Sequence, residues 1–186
     1  DDSVYEGNET GIVAISGVSG ADAAEDGTQS VTITITENES APTVTLATSA
    51  TSIAEDAGSS LTLTATSSIV ADEDITVSIA TSGTGTEGTD YNTISDITIS
   101  AGATTGTASF TPINDTVFEA NETAIVSISS VSGADATESG VQSETITIVK
   151  DADAAPTVTL ATSATSIAEN AGSSLTLTAT LSNATN

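Results

Sequence analysis

Ten residues in the second half of the chain, NDTVFEANET from Asn114 to Thr123, hold three carboxylates around a large apolar pair, with no basic residue among them. A near-copy, DDSVYEGNET, opens the chain from Asp1 to Thr10. Crowded carboxylates repel one another and raise one another's pKa values unless a cation lies between them. The chemistry this spacing suits is oxygen ligation of a hard divalent cation.

Composition narrows the choice. The chain has 26 acids against one basic residue, Lys150, for a net charge of -25. Phosphate binding needs Lys and Arg to displace counterions, so a nucleic-acid partner is excluded, and an anionic membrane surface with it. There is no Cys, His, Met or Trp. Zinc, copper, haem and iron–sulfur sites lack their usual ligands. Imidazole acid–base work and thiol nucleophiles are gone too. A carboxylate pair could still cleave a glycoside, but these acids gather on loops rather than across a cleft, and the expectation is that the chain is not an enzyme. Lys150 is expected to make a lone salt bridge rather than an isopeptide bond. No apolar run is long enough to span a bilayer and no signal peptide is visible. The chain starts within a repeat, as a slice or a processed product would.

The elements that must position the acids are strands. Leu61, Leu63 and Ala65 alternate with Thr62, Thr64 and Thr66. Ile75, Val77 and Ile79 do the same, as do Ile97 with Ile99, Val126 with Ile128, and Ile146 with Ile148, and a further strand surrounds Phe110. Strict period two argues half-buried strands, and Gly/Asp clusters such as SGTGTEGTD mark the loops between them. Hydrophobic residues make up 37% and charged ones 15%, which is not the composition of a disordered tail. Ser and Thr, roughly a third of the chain, suit exposed strand faces. With 2% aromatics, the core is expected to be Val, Ile, Leu and Ala.

The chain also repeats. APTVTLATSATSIAEDAGSSLTLTAT, from Ala41, and APTVTLATSATSIAENAGSSLTLTAT, from Ala155, differ only at Asp56 against Asn170. GVSGADAAEDG, from Gly17, returns as SVSGADATESG, from Ser130. A period of this length is one ordinary domain and too long for a solenoid unit. Residues 42–154 are read as a complete repeat, 1–41 as the back of a preceding one and 155–186 as the front of a following one. The partial pieces are either a window cut from a longer array or halves completed by neighbouring chains through strand addition. The fold class is all-β: tandem immunoglobulin-like antiparallel β-sandwiches of about seven strands.

On that strand map the acids converge. Glu55 follows the first strand and Asp90 lies in the loop after the third. Asn114, Asp115, Glu119 and Glu122 connect the fifth to the sixth, and Asp151 and Asp153 follow the last. Alternate connections of an antiparallel sandwich share an end, and Glu55 joins them if the chain bends there. Up to seven carboxylates then meet at one pole. Calcium, with six to eight oxygen ligands, fits them better than magnesium.

SIAEDAGS, the GTGTEGTDY loop, NDTVFEANET and the closing DAD together resemble the Calx-beta domain, found in sodium/calcium exchangers and in many large extracellular proteins. The resemblance implies calcium at one end of a seven-stranded sandwich. It implies side-chain ligation by Glu55, Asp90, Asp115, Glu119, Glu122, Asp151 and Asp153, with Val117 giving its carbonyl and Phe118 anchoring the loop. Asn114 stands where calcium-binding members often have Asp, and Ala152 interrupts the closing acid run. In the opening copy Asp1, Asp2, Glu6 and Glu9 match the same loop. Glu37 and Glu39 lie near its end, one residue out of register. Glu169 matches Glu55.

The expected function is a calcium-binding structural repeat of an extracellular or cell-surface stalk, fibre or adhesin, with Ca2+ at the inter-domain pole stiffening the array. Its partners are calcium ions and neighbouring repeats, in the same chain or in adjacent chains of a fibre. The alternative is a regulatory calcium sensor. Asn8, Asn38, Asn114, Asn121 and Asn183 begin N-x-[ST] triplets, where glycosylation stays open.

Overall fold

The computed structural model describes residues 2–170 and 172–185. Alternating β-branched residues make strands along the chain, because a stiff χ1 suits the pleated surface. The opening copy forms β1 (Val4–Tyr5), β2 (Glu9–Ala14) and β3 (Ser30–Ile35). The middle repeat begins with β4 (Thr43–Thr48), β5 (Ser52–Ala54), β6 (Leu61–Ser67), β7 (Val70–Ala71) and β8 (Ile75–Gly83). It continues through β9 (Ile97–Ile99), β10 (Thr105–Phe110), β11 (Glu122–Ser132), β12 (Thr137–Glu138) and β13 (Ser143–Val149). The last stretch holds β14 (Val158–Thr162) and β15 (Leu177–Leu181).

The middle repeat is a β-sandwich. One sheet has the order β10-β6-β4-β12 and the other β5-β13-β11-β8-β9. The period-two residues point between them: Val44, Leu46, Leu63 and Ala65 from the first, Ile75, Val77, Ile97, Ile99, Val126, Ile146 and Ile148 from the second, all buried. Each such Val, Leu or Ile contributes roughly 1.5–3 kcal/mol when fully buried. The core is not purely aliphatic, however. Tyr91 and Phe110 are buried and stack with ring centroids 4.9 Å apart and planes 24° from parallel. Two rings fill volume that would otherwise need several branched side chains.

The first strand changes sheets. β4 pairs with β6, and β5, a few residues on, runs parallel to β13 in the opposite sheet. This is the bend that Glu55 needs. Its backbone N–H donates to Val149 O at 2.9 Å, beside the end of β13.

The flanking stretches show what the sandwich supplies. β2 pairs with β3, and β14 with β15, each as a two-stranded sheet. Val13, Ile33, Ile35, Val158, Leu160 and Leu177 are exposed there, while their repeat counterparts Val126, Ile146, Ile148, Val44, Leu46 and Leu63 are buried. The same alternation is thus buried only where both sheets are present.

Candidate metal centre

Four connections and the start of β11 supply the acids. Asp90 is buried, held where its carboxylate accepts the Thr86 N–H at 2.5 Å. Glu87, not foreseen in any role, shapes this loop: its carboxylate accepts the Thr81 hydroxyl at 2.6 Å and the Ile94 N–H at 2.9 Å. Glu119 and Glu122 are half-buried, and carboxylate oxygens of Asp90, Glu119 and Glu122 all lie within 4.8 Å of one another. Glu55 is buried, and its Oε1 accepts the Asp115 N–H at 3.3 Å. Asp115 Oδ1 in turn accepts the Val117 N–H at 2.6 Å, an Asx turn that sets the loop. At the closing segment Asp151 Oδ1 accepts the Asp153 N–H at 2.9 Å.

The electrostatics join these pieces. Burial pushes the Glu122 carboxyl up to about 7, with the charges of Asp90, Glu119 and Glu55 adding to it. Burial also raises Glu55, helped by Asp151, Glu119 and Asp115 and opposed by the Asp115 N–H. Asp153 is raised by burial, then by Asp151 and Asp115. Seven carboxylates, those of Glu55, Asp90, Asp115, Glu119, Glu122, Asp151 and Asp153, therefore feel one another at one pole. Glu122 Oε2 and Asp153 Oδ2 are buried there without a hydrogen-bond partner. A buried carboxylate oxygen left unpaired is costly, and a cation would meet that need. The donor set is all oxygen, which suits calcium and not zinc or copper.

Lys150 does not neutralise the pole. Its ammonium lies over the Phe118 ring, 5.4 Å from the centroid, and among the described residues it makes no ion pair, contrary to expectation. Val117 and Phe118 are half-buried in the acid loop. Asn114 is exposed beside Asp115 and enters none of the described hydrogen bonds. Glu169 is exposed and joins neither acid cluster.

The opening copy builds a second acid pole. Asp2, Glu6, Glu9, Glu37 and Glu39 line a cavity of about 370 Å³; Asp1 lies outside the described residues. Glu6 is pushed up by Asp2 first, then by burial, Glu9, Asp72 and Glu37. Glu37 is instead held down at about 2, because its carboxylate accepts the N–H groups of Glu39, Glu6, Asn38 and Gly7. The register slip is resolved here. Asn8 Oδ1 accepts the Glu37 N–H at 2.9 Å as Asn121 Oδ1 accepts that of Lys150 at 3.1 Å. Glu37 thus occupies the backbone place of Lys150. Its longer side chain accepts the Glu39 N–H at 2.9 Å, as Asp151 accepts that of Asp153. The bracing role of Asn8 and Asn121 was missed in the sequence, although both stand at one position of the two near-copies.

A β-sandwich of this topology with an all-oxygen acid pole belongs to the class of immunoglobulin-like modules that carry their chemistry on one end. The family model described as the Calx-beta domain matches residues 37–153, and the chain belongs to the Calx-beta family. Among solved structures it is similar to the apo form of the Calx CBD1 domain, at 17% identity and a TM-score of 0.49, covering 59% of this chain and 98% of that one. It is similar to CBD12 from CALX1.2, at 18% and 0.47, over 54% of this chain and 41% of that one. A two-domain protein of unknown function from Bacteroides fragilis NCTC 9343 is also similar, at 8% and 0.40, over 66% and 55%. No curated protein sequence matches the chain.

Proposed function

We propose that the chain is a calcium-binding structural repeat of an extracellular or cell-surface array such as a stalk, fibre or adhesin. Residues 42–154 serve as the whole unit, flanked by parts of its neighbours. The observation that carries this reading is the pair of buried, unpartnered oxygens at the acid pole, Glu122 Oε2 and Asp153 Oδ2. Glu122 begins β11, and Asp153 lies between β13 and β14, in the segment leading to the next repeat. Cations that satisfy both oxygens tie that segment to the sandwich. With free calcium about 100 times the dissociation constant, one site adds ~2.7 kcal/mol, a large share of the stability of a small domain.

Calorimetric titration of the whole chain with calcium, with a melting curve at each step, tests this. The expected result is heat of binding and a rising melting temperature that magnesium does not reproduce. Dissociation constants near 10⁻⁴ to 10⁻³ M fit an extracellular module, whereas values near 10⁻⁷ to 10⁻⁵ M favour a regulatory sensor. No heat and no shift in melting would mean that the acids only solubilise the pole.

A further inference from the structure

The acid loop of the opening copy also reaches into the middle repeat. Its central residues form β1 and run parallel to β7, Val4 opposite Val70 and Tyr5 opposite Ala71. The Asp72 N–H donates to Tyr5 O at 3.1 Å. The Tyr5 side chain is only 8% exposed and belongs to the hydrophobic core cluster. Its hydroxyl donates to Asp135 Oδ2 at 2.8 Å, across 130 residues of sequence.

Asp135 sits in an unusual turn. Gly133, Ala134 and Asp135 have φ of 93°, 51° and 52°. Two successive non-glycine residues in the left-handed region are strained, and such strain persists only where its surroundings hold it. The Ala136 N–H closes the turn onto Gly133 O at 2.9 Å, and Glu73 accepts the Ala134 N–H at 3.3 Å. The turn recurs at Gly20, Ala21 and Asp22, with φ of 92°, 52° and 53°, closed by the Ala23 N–H on Gly20 O at 3.0 Å. It is exposed there, so its shape does not depend on a seated ring.

The docking geometry recurs as well. Phe118 and Thr185 are the repeat counterparts of Tyr5 and Ala71, and they form an isolated parallel bridge. The Phe118 N–H donates to Ala184 O at 3.2 Å. The same position of the acid loop meets the same short segment of the following repeat at both joints.

We infer that the short strand β7 and the Gly-Ala-Asp turn form a preshaped socket for the aromatic residue of the preceding repeat's acid loop. The partner is another copy of this repeat, one place earlier in the array. Strand pairing supplies backbone hydrogen bonds, here in a two-stranded sheet of β1 and β7 alone, and a pocketed side chain sets the register. Tyr5 lies between Asp2 and Glu9, so the candidate ion loop and the joint are the same ten residues. The coupling of ion to joint rests on the calcium reading above, because a cation that quiets the repelling carboxylates holds Val4–Tyr5 in its extended form. The clamp itself does not require the ion.

The whole chain has no cysteine, so a Thr32→Cys, Thr107→Cys pair can carry two spin labels, one on β3 and one on β10, at exposed positions. The width of the distance distribution between them reads the stiffness of the joint, and calcium binding is followed separately by calorimetry. Tyr5→Ala is expected to broaden the distribution at least twofold, and Tyr5→Phe and Asp135→Asn to broaden it less. Circular dichroism confirms that each variant keeps its sheet content. An unchanged width in Tyr5→Ala overturns the clamp even if calcium still binds. A chain that takes up no calcium but broadens on Tyr5→Ala overturns the calcium reading and supports the clamp.

Discussion

The side-chain oxygen of Asn121 accepts the backbone N–H of Lys150 at 3.1 Å. That bond fastens the acid loop, with Asp115, Glu119 and Glu122, to the closing segment that carries Asp151 and Asp153. The ligand candidates from two distant stretches share a pole partly because of it. Asn8 makes the same bond to Glu37 in the opening copy.

Asn121→Ala is expected to lower stability by about 1 kcal/mol, the ordinary net contribution of one hydrogen bond, and to weaken calcium binding several-fold. Asn121→Asp keeps an accepting oxygen and is expected to lose less. Urea unfolding with and without calcium measures both terms. Equal losses from the two variants would show that the amide oxygen does not act as the brace.

Glu122→Gln separates the two roles of that carboxylate. Without calcium the variant is expected to melt higher than the natural chain, since it removes a buried charge that faces Asp90, Glu119 and Glu55. With calcium it is expected to bind at least tenfold more weakly. A variant that melts lower without calcium, or that binds calcium unchanged, contradicts the metal-centre reading.

The same group sets a pH dependence. The Glu122 carboxyl has a folded value of about 7 against 4.5 when unperturbed. Between those values the folded chain holds a proton that the unfolded chain has released, so stability falls as pH rises through the interval. The penalty is absent below about 4.5 and complete above about 7, on the order of 1–2 kcal/mol once solvent screening is allowed for. The calcium-free chain is therefore expected to melt higher at pH 5.5 than at pH 8. Below pH 7 calcium must displace the proton, so affinity should rise toward tenfold per pH unit and level off above 7. Glu37 runs the other way: its value of about 2 against 4.5 when unperturbed gives stability that is present above about 4.5 and is lost progressively as pH falls from there to about 2. A melting temperature that is flat from pH 5.5 to 8 would count against the Glu122 assignment.

The sandwich was legible because period two is a direct print of a half-buried sheet. Val44, Leu63, Val77 and Ile146 alternate with Thr and Ser and are all buried. The pole was legible for a topological reason, since alternate connections of an antiparallel sandwich meet at one end. Three features were not readable. Tyr91 and Phe110 are 19 residues apart, and nothing local says that their rings stack. The crossing of β5 to the opposite sheet depends on pairing with β13, nearly a hundred residues later. The role of Asn121 was masked by its N-E-T triplet, which also fits a glycan acceptor, and hydrogen bonding to a distant backbone leaves no spacing to read.

β8 approaches the strand that starts at Glu122 more closely than a side chain at its last residue would allow. Gly83 ends β8 opposite Ala124, with φ of 122°. A Cβ there would lie 2.1 Å from Thr123 O and 2.9 Å from Thr123 C, both backbone atoms. Backbone inside a sheet cannot swing aside as a side-chain tip can, so β11 itself would have to move, and Glu122 with it. Gly102→Ala is the matched control: its φ of 78° also favours glycine, but its Cβ would meet open space. Gly102→Ala is expected to cost about 1 kcal/mol from left-handed strain alone. Gly83→Ala adds overpacking to that strain and is expected to cost at least 2 kcal/mol more. It should also weaken calcium binding, which Gly102→Ala should not. If both variants lose the same stability and bind calcium alike, the close approach of Gly83 to Thr123 does not position the pole.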